Sequence, residues 1–309
     1  MKNLIKRVSL VLLVGVSSVV SAQSVTSLEI NMDPRATAMG GSALALSPNA
    51  FSIYQNNAAI AFSDKRTAFA YSYTDWFAKN KLHTVSGFYN FQNNHSVSLG
   101  LRYMDGDQIK NSEDGMNFTT VNPYDFILDL GYAYRINEYW SLSTTVRYLH
   151  SKVNVGPGIK RGNAYSFDVG LNYRDEHFSA TAGVQGVGSR VDYGYDKYQL
   201  PAKALLGFAY TWDIADKHQL ISTLEGDYRF MPSSYRAASG GAGVEYLYNQ
   251  LIAVRGGYRI ADKNKSAGSY GALGCGLYLG CITADFTYVL AKHDSVLKDV
   301  WQIAVGFNF

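Results

Sequence analysis

From Lys65 to Phe309, segments of about ten residues alternate apolar and polar side chains, and each ends in a polar break. Alternation with a period of two sends successive side chains to opposite faces of a strand. The last segment shows it most clearly. Trp301, Ile303, Val305, Phe307 and Phe309 share one face, while Gln302, Ala304, Gly306 and Asn308 share the other. One such segment describes any half-buried strand. About fourteen in succession describe a sheet whose outer face is apolar throughout, and only a closed barrel sets such a face against lipid without leaving an unpaired edge. The expected fold is all-β: a transmembrane antiparallel up-and-down barrel, with Phe309 closing the strand recognised for membrane insertion.

The segments fall near Arg66–Trp76, His83–Phe91, His95–Tyr103, Tyr124–Arg135, Trp140–Ser151, Asn163–Arg174 and Phe178–Val187. They continue near Lys203–Trp212, Gln219–Phe230, Gly240–Leu247, Leu251–Ile260, Tyr270–Leu279, Ile282–Ala291 and Val300–Phe309. The breaks alternate in length. Asn93-Asn94, Asp175–His177, Tyr248–Gln250 and Gly280 are short, whereas Asp105–Pro123, Lys152–Gly162, Gly188–Pro201 and Ala261–Ser269 are long. Short periplasmic turns and long external loops follow this rule, which puts both ends of the barrel in the periplasm.

The outward rows carry Leu128, Leu130, Tyr132 and Tyr134, then Phe167, Val169, Leu171 and Tyr173, then Leu206, Phe208, Tyr210 and Trp212. Tyr and Trp cluster towards the ends of these rows, where a bilayer has its interfaces. The opposite rows hold Arg102, Asp125, Asp129, Arg147, Asp168, Glu225, Asp227, Arg229, Glu245, Arg255, Arg259 and Asp285. An ion-selective pore needs one sign of charge to dominate. Both signs are present here, which favours a packed or plugged lumen with acids and bases paired across it.

The first 22 residues have the form of a cleaved export signal. Lys2, Lys6 and Arg7 precede the apolar run Val8–Val16, and Val20-Ser21-Ala22 is a small-residue cleavage site. Without those three cations the chain is formally neutral, so it has no basic footprint for nucleic acid. Residues 23–64 do not alternate. They are rich in small residues, with Pro34 and Pro48 as breaks and Ala36–Leu46 as a possible short helix bent at Gly40-Gly41. Ahead of a barrel spanning 65–309, such a segment lies in the periplasm or folds into the lumen as a hatch.

Nothing else in the sequence points to a site of chemistry. His83, His95, His150, His177, His218 and His293 stand singly near segment ends, and no Gly-x-Ser-x-Gly nucleophile motif occurs. Ser239-Gly240-Gly241-Ala242-Gly243 lacks the lysine of a phosphate loop and fits a strand that leaves room for a neighbouring backbone. Asp105, Asp107, Glu113 and Asp114 could gather a hard cation, but their spacing suits a solvated loop better. Cys275 and Cys281 flank a turn, either bridged across it or as two small apolar residues. No cofactor or metal is implied, and the chain is expected to be no enzyme.

Two stretches carry a resemblance. Asp33-Pro34-Arg35-Ala36-Thr37-Ala38-Met39-Gly40-Gly41 and Ser52-Ile53-Tyr54-Gln55-Asn56-Asn57-Ala58-Ala59-Ile60-Ala61-Phe62 resemble the N-terminal region of the PorV/PorQ family, itself similar to FadL-type barrels. Tyr71–Trp76 resembles the first strand of that family. Where the family commonly has Asn-Pro-Ala, this chain has Asn56-Asn57-Ala58. The resemblance implies an outer-membrane location and a part in type IX secretion or surface attachment. Its implied partners are outer-membrane lipid, secreted cargo proteins and other secretion subunits. The alternative is FadL-like transport of hydrophobic compounds past the hatch. The candidate hatch or lumen residues are Arg35, Met39, Gly40, Gly41, Gln55, Asn56 and Asn57.

Overall fold

The computed structural model describes residues 26–91, 94–112, 118–152, 161–194, 197–293 and 295–309. The export-signal residues 1–22 lie outside the described residues, as do Glu113 and Asp114. Fourteen antiparallel strands form one closed barrel. In chain order they are β1 Thr67–Asp75, β2 Lys81–Asn90, β3 His95–Asp105, β4 Tyr124–Arg135, β5 Trp140–Lys152, β6 Gly162–Arg174 and β7 Phe178–Gly188. Then follow β8 Ala202–Ala215, β9 His218–Met231, β10 Ala237–Tyr248, β11 Ile252–Ala261, β12 Tyr270–Leu279, β13 Ile282–Leu290 and β14 Trp301–Asn308. The ring closes where β1 meets β14, from Ala68 opposite Asn308 to Asp75 opposite Trp301. Phe309 extends the seam: its N–H donates to Thr67 O at 2.8 Å and its carbonyl accepts from Thr67 N at 3.1 Å.

Alternation becomes burial in every strand. Along β5, Ser141, Ser143, Thr145, Arg147, Leu149 and Ser151 face inward and are buried, while Leu142 and Val146 face out. The outward rows leave Leu130, Phe167 and Leu224 more than half exposed, at 54%, 53% and 59%. In water such a continuous band costs about 25 cal/mol per Å², whereas hydrocarbon solvates it. No helix among the described residues is long and apolar enough to cross a membrane, and the strands do the crossing.

The differences from the sequence reading lie beyond the lipid band. β8 and β9 run on to Ala215 and from His218, so their turn is only Asp216-Lys217. In water both faces of a strand can be polar, and alternation stops marking it while the hydrogen-bond ladder continues. For the same reason two short hairpins in the long loops, Ile109–Ser112 with Phe118–Val121 and Arg190–Asp192 with Lys197–Gln199, carry no signal in the sequence. The cysteines are free. Cys275 stands opposite Phe286, and Cys281 lies in the turn after the closing pair Leu279–Ile282, so the two are not cross-strand partners.

Candidate functional site

Inside the ring lies the segment before β1. Its only α-helix among the described residues, α1, is short, Pro34–Ala38. Pro34 suits the first turn, where an N–H has no partner to lose, and Asp33 caps it by accepting from Arg35 N at 2.9 Å. The expected helix to Leu46 is cut short because Gly40 and Gly41 take φ of +68° and +72°, and Gly41 N turns back to Ala36 O at 2.8 Å. Two 3-10 turns, Ser52–Tyr54 and Asn57–Phe62, lead to β1.

The segment is threaded from one end of the barrel to the other. At the long-loop end Ser27 Oγ donates to Asp125 at 2.6 Å, Leu28 packs against the cluster of Val191 and Leu200, and Glu29 pairs with Arg229. At the short-turn end Arg135 stacks on the Phe62 ring at 5.0 Å, and Asn90 Nδ2 donates to Lys65 O at 2.9 Å. Between these ends, short inward side chains hold its backbone. Ser72 donates to Met32 O at 2.8 Å, Ser141 to Ala58 O at 2.8 Å, Thr181 to Leu44 O at 3.0 Å and Thr287 to Pro34 O at 2.6 Å.

On one side the wall itself is cut away to receive the chain. A Cβ on Gly243 would come within 2.5 Å of Met39 O, one on Gly274 within 2.6 Å of Ala38 Cβ, and one on Gly257 would overlap Gly40 N. Gly40 in turn has no room for a Cβ, which would lie 2.5 Å from Tyr258 O. The glycines of Ser239–Gly243 therefore leave room for another backbone, and that backbone is Met39–Gly41. Met39 is fully buried in a cluster with Ala36, Ala43, Leu46 and Ile221.

The lumenal charges pair along the wall, between neighbouring strands, rather than across a narrow lumen as the sequence suggested. The register sets Glu245 opposite Arg255 and Asp129 opposite Arg147, so partners meet by strand adjacency. Arg35 joins the first of these groups. Its Nε and Nη2 donate to Glu245 at 2.9 and 2.7 Å, while Arg255 donates to Glu245 and Asp285, each at 2.5 Å. Burial is the largest single influence on Arg35 and lowers its pKa, but the charge and hydrogen bonds of Glu245 together with Tyr278 and Asp33 outweigh it and hold the guanidinium above its ordinary value. Burial is the main cause that raises Asp33, with Asn49 opposing it through a 2.7 Å hydrogen bond. A second group runs Arg102–Asp129–Arg147–Asp168, with Arg102 over the Tyr54 ring at 4.8 Å.

The other candidate residues occupy the side facing β3 to β7. Gln55 Nε2 donates to Asn31 Oδ1 at 2.9 Å, and Gln185 donates to its carbonyl at 2.6 Å. Asn56 Nδ2 reaches Leu44 O at 2.7 Å and Asn172 Oδ1 at 2.9 Å, and Asn57 Oδ1 accepts from Ser98 at 2.6 Å. Gly41 lies by the Arg259 side chain, apart from this group. Neither Leu28–Met32 nor the inward hydroxyls were among the candidates read from the sequence. The run of small polar residues on the inner rows of β1 to β5 was the available signal.

Above the segment, at the long-loop end, a cavity of about 380 Å³ remains. Ile30, Met32, Trp76 and Leu297 make one side apolar, and Lys203, Glu225, Arg229 and Arg259 make the other charged. Glu225 is not free, because it accepts from the backbone N–H groups of Ala43 and Leu44 at 3.0 and 3.1 Å. Among the described residues no group of His, Cys, Asp and Glu could hold a metal ion.

Residues 17–233 match the family described as Type IX secretion system protein PorV. No curated protein matches the chain. Among solved structures, the Ralstonia pickettii toluene transporter TbuX superposes with a TM-score of 0.63 at 15% identity, over 89% of this chain and 98% of that one. The P. putida toluene transporter TodX gives 0.65 at 11%, over 89% and 98%. A Pseudomonas aeruginosa FadL homologue gives 0.59 at 11%, over 91% and 99%. At these identities the likeness is one of fold.

Proposed function

Because the chain belongs to the PorV family of type IX secretion proteins, we propose that this outer-membrane barrel receives exported proteins at its long-loop end for secretion or surface attachment. It performs no catalysis of its own in this role. The observation that carries the reading, beside the family, is the lumen. A segment bonded to strands all around the ring leaves no clear passage, so the working surface is the outer end and its loops. The partners are then cargo proteins and other secretion subunits, held by contact rather than conducted.

Removal of residues 1–22 belongs to the same proposal. Ser27 and Glu29 bond Asp125 and Arg229 at the long-loop end. A chain still tethered by Val8–Val16 to the inner membrane could not deliver those residues there, which supports cleavage after Ala22. Deleting the gene tests the role: proteins bearing the type IX export signal accumulate in the periplasm, and the tagged barrel recovers them from detergent extracts. Normal export of every such protein in the deletion strain refutes it.

The cavity favours a second reading, FadL-like transport of a hydrophobic compound, since Ile30, Met32, Trp76 and Leu297 offer an apolar wall. Residues Gly40–Ala59 would then act as a hatch. Uptake of a labelled monoaromatic hydrocarbon that depends on this barrel, with protein export unaffected, would replace the first reading with this one.

A further inference from the structure

One side-chain arrangement recurs three times on the lipid-facing surface. His95, His218 and His83 each stand directly opposite a tyrosine of the adjoining strand, Tyr134, Tyr248 and Tyr73. The facing rings lie with centroids 5.0, 5.2 and 5.3 Å apart. In each case Nδ1 is hydrogen-bonded to the hydroxyl of a second tyrosine two residues deeper in the membrane. These are Tyr132 at 2.6 Å, Tyr246 at 2.5 Å and Tyr71 at 2.8 Å. Nε2 of none of the three has a protein partner among the described residues. A polar contact on the outer surface thus fixes one ring nitrogen and leaves the other facing the bilayer interface.

His95 and His218 are the first residues of β3 and β9, at the short-turn end, where the apolar rows stop. The groups within reach there are lipid headgroups. A phosphate oxygen accepts only, so binding one selects the tautomer with hydrogen on Nε2, in which the tyrosine hydroxyl donates to Nδ1. Both hydrogen bonds are then satisfied, and the opposed ring walls the slot. Cations share this end of the lipid face: Lys217 precedes His218, and Arg66 lies 5.2 Å over the Tyr89 ring. His83, at the other end, lacks that help, because its neighbour Lys81 stands between Asp75 and Asp105 in the register.

We propose that His95 and His218 are binding points for the phosphodiester of glycerophospholipids in the periplasmic leaflet, fixing the barrel's depth and rotation beside its partners. Native mass spectrometry of the barrel released from maltoside micelles tests this, with dioleoyl phosphatidylglycerol as probe and phosphate-free monogalactosyl diacylglycerol as control. The expected result is one retained phosphatidylglycerol for each of the two slots and no retained glycolipid. His95→Phe/His218→Phe, which keeps the ring but removes the donor, loses both, while His83→Phe keeps the count. Gln at both positions, whose amide nitrogen falls near that of Nε2, restores retention, and circular dichroism checks that each variant is folded. Equal retention of the glycolipid, unchanged retention in the Phe double variant, or failure of Gln to restore it overturns the proposal. Loss of a lipid in His83→Phe overturns its restriction to the periplasmic end.

Discussion

Glu245 is the point on which the threaded segment turns, and its neighbourhood orders the effects of substitutions there. Arg35→Met removes a two-pronged contact but leaves Glu245 still paired with Arg255, whose other partner is Asp285. Breaking one partner of a buried pair costs roughly 3 to 5 kcal/mol, and the surviving Arg255 contact sets the lower end. At about 1.4 kcal/mol per tenfold, that raises the undocked population by about two orders of magnitude. Glu245→Gln is worse, because it leaves two buried guanidiniums around a neutral amide. Replacing Arg35 and Glu245 together by Met and Gln removes one of those cations and falls between. Hydrogen exchange reads the result directly, since Thr37, Met39, Gly40 and Gly41 donate their amides within the segment and exchange only when it opens. The expected outcome is exchange about 100-fold faster at these four amides in Arg35→Met, faster still in Glu245→Gln, with the strand amides of β5 and β6 unchanged. Unaltered exchange in Arg35→Met, or Arg35→Met exceeding Glu245→Gln, refutes the reasoning.

Other consequences are equally open to measurement. Gly257→Ala puts a Cβ into Gly40 N and frees residues 38–41 in the same exchange experiment, whereas Gly226→Ala, with nothing within 4 Å of its added Cβ, leaves them protected. Equal effects of the two would show that the glycine-lined recess does not seat the segment. Deleting Phe309 removes two backbone hydrogen bonds to Thr67 and a ring contact with Phe69 at 6.2 Å. At about 1 kcal/mol per hydrogen bond, the heat-modifiable folded fraction on a gel falls, and an unchanged fraction counts against the seam as a determinant of assembly. Asp175 accepts from the N–H groups of Phe178 at 2.8 Å and His177 at 3.1 Å, which hold its pKa below the usual aspartate value. Its contribution to that turn is therefore present above about pH 3.9 and is lost as pH falls through the depressed value. A carboxyl-carbon NMR titration giving an ordinary aspartate pKa contradicts this.

How much of the molecule was legible in the chain depends on which solvent each part meets. Along β14 the bilayer imposes one strict demand, apolar outward, so Trp301 to Phe309 declares both strand and face. In β8, Asp213–Ala215 lies beyond the outward row, the demand lapses, and the strand continues past Trp212, the last residue that alternation marks. The segment before β1 follows a third logic, since its surroundings are other residues of the same chain. Gly40 and Gly257 look like unrelated glycines 217 positions apart, yet a Cβ on Gly257 would meet Gly40 N and one on Gly40 would meet the backbone of Tyr258, the residue after Gly257. Arg35 and Glu245 are separated by 210 residues and become partners only after the ring has closed. Period and composition report what a residue does with its solvent or its near neighbours. They cannot report a pairing that topology alone creates. Arg35, Met39, Gly40 and Gly41 were therefore visible as an unusual cluster, while what they touch, and that Ser27–Met32 reaches the far end of the barrel, required the fold.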